Sequence, residues 1–205
     1  MSERPSCFGA SPMPVRYIDV ETAARLLPGC RRLLVLGCSG SGKSTLSRKL
    51  GELLDLPHIS MDREVFWLPG WQQRPREEAV KRIVEIAATS RWIMDGTSPG
   101  TLPIRLPRAD IVIWMRPPRL VSLYGVLSRG IRYRGRSRPE MADGCPERVT
   151  LEFLRYVWNF ERHSAPQVDA QLAAFSGEVS VLTLRSHAAS ERLLVSMGER
   201  AFVSG

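Results

Sequence analysis

The sequence predicts an α/β fold, a three-layer αβα sandwich around a five-stranded parallel sheet. Two observations predict it. Short β-branched, apolar runs alternate with longer segments of helical period, the pattern of strands joined by helical crossovers. The first strong run, Leu33–Gly37, also feeds a glycine-rich turn that opens straight onto a helical pattern. With 205 residues, 43% hydrophobic and 24% charged, the chain can bury one sizeable core and is too apolar for disorder. It divides into an N-terminal extension with a short helix, residues 1–30, and a domain over residues 31–205 that carries an insert at 134–147. No internal repeat or low-complexity linker is visible.

Taken in order, Asp19–Leu27 reads as a short helix stopped by Pro28-Gly29, and Leu33–Gly37 as the first strand of the sheet. Lys43–Leu54 is a helix with Leu46, Leu50, Leu53 and Leu54 on one stripe. Pro57–Ser60 is the second strand. Met61–Pro75 has no periodicity and reads as a loop; its Trp67 and Trp71 suit packing or capping a ligand. Arg76–Thr89 is a helix with Val80, Ile83, Val84 and Ala87 inward. Arg91–Met94 and Asp110–Met115 are the third and fourth strands. Arg119–Tyr133, Arg148–Phe160 and Ala165–Phe175 are helices, Val179–Leu184 is the fifth strand, and Ala188–Met197 is the last helix. Trp158, with Phe153, Leu154 and Val157, is assigned to the core.

Composition bounds the function. The apolar runs Leu33–Leu36 and Ile111–Met115 are far too short to cross a bilayer. The first fourteen residues hold no apolar leader segment, so a cytoplasmic protein is expected. Cys7, Cys30, Cys38 and Cys145 show no CxxC spacing and no zinc signature, and are expected to be reduced thiols. A net charge of +8 suits a polyanionic ligand, nucleotide or nucleic acid.

The segment Gly37-Cys38-Ser39-Gly40-Ser41-Gly42-Lys43-Ser44 matches G-x-x-x-x-G-K-[ST] between a strand and a helix. The residue types follow from the chemistry of holding phosphate. Glycines let the backbone curl until successive N–H groups face an anion, and the helix N-terminus adds its free amides and dipole. Gly37, Ser39, Gly40, Ser41, Gly42, Lys43, Ser44 and Thr45 are therefore candidate contacts to ATP. Lys43 is placed for the β- and γ-phosphates, and the Ser44 hydroxyl for Mg²⁺.

A carboxylate on a neighbouring strand is needed to hold that metal. Asp95 ends its strand ahead of Gly96, at the carboxyl edge where ligands bind in open α/β sheets, and is preferred. Asp110 begins its strand, points to the opposite edge and reads as a turn residue. Asp62, just past the second strand, is either a base or hydrogen-bond partner for an acceptor hydroxyl, or an Asx turn. Arg129, Arg132, Arg134, Arg136 and Arg138 crowd ten residues without a lysine. Planar guanidinium groups match phosphate oxygens, so this stretch is a candidate lid, with Arg132 and Arg136 as candidate catalytic groups; it could equally track a nucleic-acid backbone. Arg148, Arg155 and Arg162 recur every seven residues, so they share a face if one helix holds all three. Arg155 on that face could meet a transferred phosphate, or the row could pair with Glu147, Glu152 and Glu161.

These pieces together resemble the P-loop small-molecule and nucleotide kinases, such as adenylate, shikimate and gluconate kinases. Within them the chain is most similar to the adenylate-kinase-like bacterial proteins called DNA-topology-modulation proteins. The likeness rests on G-C-S-G-S-G-K-S-T, the Asp62–Trp71 loop, W-I-M-D-G-T (Trp92–Thr97), L-P-I-R-L-P-R-A-D (Leu102–Asp110), R-x-R-P-E-M-A-x-G-C-P-E (Arg136–Glu147) and F-L-R-Y-V-W-N-F (Phe153–Phe160). It implies the strand order 2-3-1-4-5 and a Mg²⁺-ATP-dependent phosphotransferase with a small-molecule acceptor. The acceptor would lie between Asp62, the Asp95-Gly96 turn and Arg105, and the adenine against Arg185-Ser186-His187. A DNA-linked, ATP-binding protein without such activity is the alternative. Adenylate kinases carry Phe-Pro-Arg after Asp-Gly. Here Thr97-Ser98-Pro99-Gly100 stands in its place, and the stretch between the second and third strands is short. Both departures argue against AMP as the acceptor.

Overall fold

The computed structural model describes residues 15–203. Cys7 and the rest of residues 1–14, with the expected lack of a leader, lie outside the described residues. The elements run β1 (Arg16–Ile18), α1 (Val20–Leu26), β2 (Arg32–Gly37), α2 (Lys43–Leu54), β3 (His58–Ser60), β4 (Trp67–Leu68), β5 (Gln72–Gln73), α3 (Arg76–Ala88), β6 (Trp92–Asp95), α4 (Leu102–Arg105), β7 (Ile111–Met115), α5 (Arg119–Arg132), α6 (Leu151–His163), α7 (Ala165–Ala174), β8 (Ser180–Leu184) and α8 (His187–Val203). Among the described residues no helix is long and apolar enough to cross a membrane.

Local chemistry sets several of these boundaries. The Asp19 carboxylate accepts from the Thr22 amide at 2.7 Å and starts α1, and Thr150 Oγ1 does the same for Phe153 at 3.2 Å and starts α6. α6 therefore begins at Leu151. Arg148 stays outside it and does not share its face with Arg155 and Arg162.

Six strands form one all-parallel sheet in the order β1-β8-β7-β2-β6-β3. The expected five-strand order is thus corrected by an added edge strand: β1 pairs with β8 from Arg16↔Ser180 to Ile18↔Leu182. Three residues with Arg16 and Tyr17 exposed carry no alternating pattern, so only the pairing marks them as a strand. A two-residue hairpin, β4–β5, and a π-helical turn at Asp62–Phe66 replace the featureless loop expected over Met61–Pro75.

Helices cover both faces of the sheet, which is why its central strands are apolar at nearly every position. Leu34, Leu36, Met94, Val112 and Trp114 point toward α3, α5, α6 and α7. Leu33, Val35, Ile93, Ile113 and Leu182 point toward α1, α2 and α8. Within the helices the inward faces differ in detail from expectation. α3 buries Ala79, Ile83, Ile86 and Ala87, so its stripe is rotated and Val84 faces solvent; Leu53, in the last turn of α2, is also exposed. Trp158 is not core. It is 41% exposed on α6, and the Arg119 guanidinium lies 4.1 Å from its ring centroid.

Parallel strands place all their carboxyl ends on one edge. There β2 delivers Gly37, β3 ends at Ser60 and β6 ends at Asp95, with Asp95 paired to Val35 and Ser60. α5 closes down on the turn after β2 through two glycines. A Cβ on Gly125 would sit 2.2 Å from the Gly40 carbonyl oxygen, and one on Gly40 would sit 2.1 Å from the Ser122 carbonyl oxygen. Gly125→Ala should therefore destabilise the protein. Overpacking against rigid backbone costs about 1–3 kcal/mol, which outweighs the up to ~1 kcal/mol that alanine gains in a helix. A lowered urea midpoint at unchanged slope is the expected result; an unchanged or raised midpoint would contradict the close approach.

Candidate active site at the carboxyl edge of the sheet

The turn between β2 and α2 carries the phosphate-loop sequence. α2 starts at Lys43, so its first-turn amides have no carbonyl behind them and face the turn. Gly40 adopts φ +79°, which an L side chain rarely takes, and the Ser41 hydroxyl is buried inside the loop without a partner among the described residues. Across the loop, His187 Nε2 lies 3.1 Å from the Ser41 carbonyl oxygen. Burial pushes the Cys38 thiol up to about 12, so it stays protonated and unreactive. Cys30, Cys38 and Cys145 are all free thiols.

Asp95 lies beside the loop and is nearly fully buried. Burial works to raise its pKa. The His58 ring bonded to it, the Lys43 charge and the nearby Ser44 hydroxyl outweigh that effect and hold the carboxyl below its usual range. His58 Nε2 is 2.8 Å from Asp95 Oδ2, which fixes one carboxylate oxygen, and Lys43 and Ser44 lie near the same carboxylate. Two residues on, Thr97 fastens the loop. Its hydroxyl accepts from the Gly37 N–H at 2.9 Å and donates to the Gly37 carbonyl at 2.6 Å.

A cleft of about 370 Å³ opens over the loop, between Gly40–Thr45, α5 and the 134–147 insert, with Arg132, Arg138, Tyr124 and His187 on its walls. The arginines here are held by carboxylates. Arg138 Nη2 donates to Asp62 at 3.1 Å and Arg138 Nε lies 3.3 Å from Glu147. Arg129 Nη2 lies 2.8 Å from the other oxygen of Glu147. Glu147 is only 5% exposed. Burial and the neighbouring Arg138 charge lower the Arg129 pKa, against the pull of Glu147.

The insert itself is docked on the end of β3 and the segment that follows it. Ser60 Oγ donates to the Glu140 carbonyl at 2.8 Å, Arg63 to the Pro139 carbonyl at 2.9 Å and Trp71 Nε1 to the Pro146 carbonyl at 3.2 Å. Trp67 and Trp71, 5.1 Å apart edge to face, pack on Met141, Ala142 and Cys145. They hold the insert, the packing role expected of them.

This arrangement has relatives in three dimensions. A shikimate kinase from Acinetobacter baumannii, solved with shikimate, superimposes with a TM-score of 0.53 at 15% identity, over 88% of this chain and 98% of that one. The fold is that of the P-loop kinases. A candidate kinase from Chloroflexus aurantiacus aligns at a TM-score of 0.46 and 16% identity, over 82% of this chain and 97% of that one. No protein-family model matches the sequence, and no curated protein sequence matches it.

On this P-loop kinase fold the anticipated residues fall into two groups. Gly40, Gly42, Lys43, Ser44, Thr45 and Arg132 line one cleft, with Asp95 buried beside it and Asp62 reaching it through Arg138. Arg136 is exposed outside that cleft, because the backbone of its segment turns the side chain to solvent. Arg155 borders a separate shallow pocket with Tyr156 and His163. Arg185 is exposed as well, and its neighbour His187 is the residue that reaches the loop. Arg105 is fully buried and donates only to backbone carbonyls, so it does not face an acceptor. Glu147 pairs with Arg129 and Arg138, and Glu161 with Arg116, not with the Arg148–Arg155–Arg162 series. Asp110 accepts from the Arg31 and Arg32 amides at the opposite edge.

Sequence reasoning missed His58 and Thr97, and offered Glu147 to the Arg148–Arg155–Arg162 row instead of to Arg129 and Arg138. Glu147→Gln would leave Arg129 and Arg138 short of a counter-charge, at a cost of about 3 kcal/mol for a broken buried pair. Added tripolyphosphate should then raise the melting temperature of this variant more than that of the wild type. An equal or smaller rise would contradict the placement of the two arginines.

Proposed function

We propose that the protein is a Mg²⁺-ATP-dependent phosphotransferase that passes the γ-phosphoryl group to a small molecule bearing a hydroxyl or phosphate. The observation that carries this reading is the meeting of Lys43, Ser44 and the ionised, buried Asp95 at one sheet edge, under arginines from α5 and the insert. The loop amides and Lys43 would bind the β- and γ-phosphates, with the base on the His187 and Tyr124 side of the cleft. Ser44 and the Asp95 oxygen not bonded to His58 fit a hard cation. Mg²⁺ held there would supply neutralisation of the phosphate charge.

The chain's own groups supply the remainder. Arg132 and Arg138 would stabilise the charge on the transferred phosphoryl oxygens. Release of Arg138 from Asp62 would free that carboxylate to accept the proton of the acceptor hydroxyl as its oxygen forms the new P–O bond and ADP departs. A second cleft, about 540 Å³, between Phe66, Arg74, Arg76 and the turn Ser98–Thr101 would take the part of the acceptor remote from Asp62. An apolar floor with two arginines at the rim suits a small hydroxylated molecule that carries an anionic group. The motif likeness to adenylate-kinase-like proteins belongs to this reading. The nucleic-acid reading is weaker, since Arg129 and Arg138 are committed to Glu147 and Asp62 instead of an open basic track.

Purified protein with Mg²⁺ and γ-labelled ATP should label one member of a panel of nucleosides, nucleotides, sugar acids and hydroxylated cyclic acids including shikimate. Lys43→Ala should lower that rate by about 10²–10³-fold with an unchanged circular dichroism spectrum. A panel left unlabelled by protein that binds ATP would contradict the transfer reading.

A further inference from the structure

A fully buried guanidinium ordinarily has a carboxylate beside it. Arg105 is buried to zero exposure and has no carboxylate partner among the described residues. Its donors go instead to three successive carbonyls: Nη1 to Gly96 at 2.8 Å, and Nη2 to Thr97 at 2.7 Å and Ser98 at 3.1 Å. Nε has no partner among the described residues. All three acceptors belong to the turn that directly follows Asp95. Ser98 in that turn takes φ +25°, a conformation a serine holds only when its surroundings impose it. A charge kept at this desolvation cost, and spent wholly on backbone, points to a turn whose shape must not relax.

The same turn faces two ways. On one side Thr97 makes the two hydrogen bonds that pin Gly37, the first residue of the phosphate loop. On the other, Ser98 and Thr101 wall the 540 Å³ cleft, with the Thr101 N–H and hydroxyl both donating to the Ser98 carbonyl at 3.0 Å. Arg105 lines neither cleft. Its planar fork can reach carbonyls that a compact lysine ammonium would serve less well.

We infer that Arg105 is a positioning residue that sets the Gly96–Ser98 turn for both clefts, so that nucleotide affinity depends on a side chain that never touches nucleotide. This rests on the nucleotide-site reading above. The chain of contact runs from Arg105 through the Thr97 backbone and hydroxyl to Gly37, and from there to the loop amides.

The test is the affinity for Mg²⁺-ADP, measured by calorimetry well below each variant's melting temperature. Arg105→Met and Thr97→Val should each weaken binding by about tenfold, the worth of lost fixed hydrogen bonds. The double variant should bind no more weakly than the worse single one, because both changes cut the same chain of contacts. Arg105→Lys should recover part of the affinity lost in Arg105→Met. Wild-type affinity in a folded Arg105→Met protein, or fully additive losses in the double variant, would overturn the inference. If Arg105→Met does not fold, Arg105→Lys and Thr97→Val decide the matter: weakened binding in both supports it, and wild-type affinity in either overturns it. Wild-type protein that binds no Mg²⁺-ADP would overturn both the inference and the nucleotide reading, and is distinguishable because the variants then have nothing to lose.

Discussion

Two hydrogen bonds between the Thr97 hydroxyl and the backbone of Gly37 hold this molecule's site together. They are short, buried and made by a single oxygen that both accepts and donates. Strands β2 and β6 already run side by side, but a sheet ladder stops where its strands stop. Beyond β2 the chain must curl back with its amides inward, a shape with few backbone bonds of its own. The Thr97 clamp extends the order of the sheet one step into that curl. Gly40 pressed against α5 then limits it from the other side. A loop fixed at both ends is preorganised for an anion, which is where positioning and electrostatic catalysis gain most.

Charge balance is the second constraint. The cleft holds Lys43, Arg129, Arg132 and Arg138 against Asp62, Asp95 and Glu147. Glu147 and Asp62 occupy Arg129 and Arg138, which keeps those two cations desolvated yet paired, while Arg132 is exposed. Phosphate groups also offer a guanidinium two acceptor oxygens at once, with more charge. The insert carries Arg138 and is fastened to the end of β3 and the segment after it by side-chain bonds to its carbonyls and by the two tryptophans. In the proposed function, a shift of Arg138 toward phosphate would bear directly on Asp62 and so couple the nucleotide side of the site to the acceptor side.

Much of the fold was legible because its signals are local. Strands buried on both faces read as apolar runs, and the phosphate loop reads from eight consecutive residues. The Lys43–Leu54 helix appears with the bounds that its leucine period predicted. What failed depended on partners far along the chain. The edge strand Arg16–Ile18 exists only through its pairing with residues 180–182. Thr97 lies sixty residues from Gly37, and His58 lies thirty-seven from Asp95, so nothing local marks either as part of the site. Trp158 was assigned inward on composition, whereas the α6 register turns it outward beneath Arg119. Among the arginines, sequence could locate the cluster but could not separate Arg132 and Arg138, which face the loop, from Arg136, which faces solvent. That separation is set by the docking of the insert, a tertiary fact.

Hydrogen–deuterium exchange of the intact chain, with and without Mg²⁺-ADP, tests the central claim most directly. The account predicts slowed exchange at the amides of Gly37–Ser44 and over residues 129–147, with residues 151–163 unchanged. Unaltered exchange across the loop at saturating nucleotide, or protection confined to surfaces away from it, would contradict the claim that this edge of the sheet is built to hold phosphate.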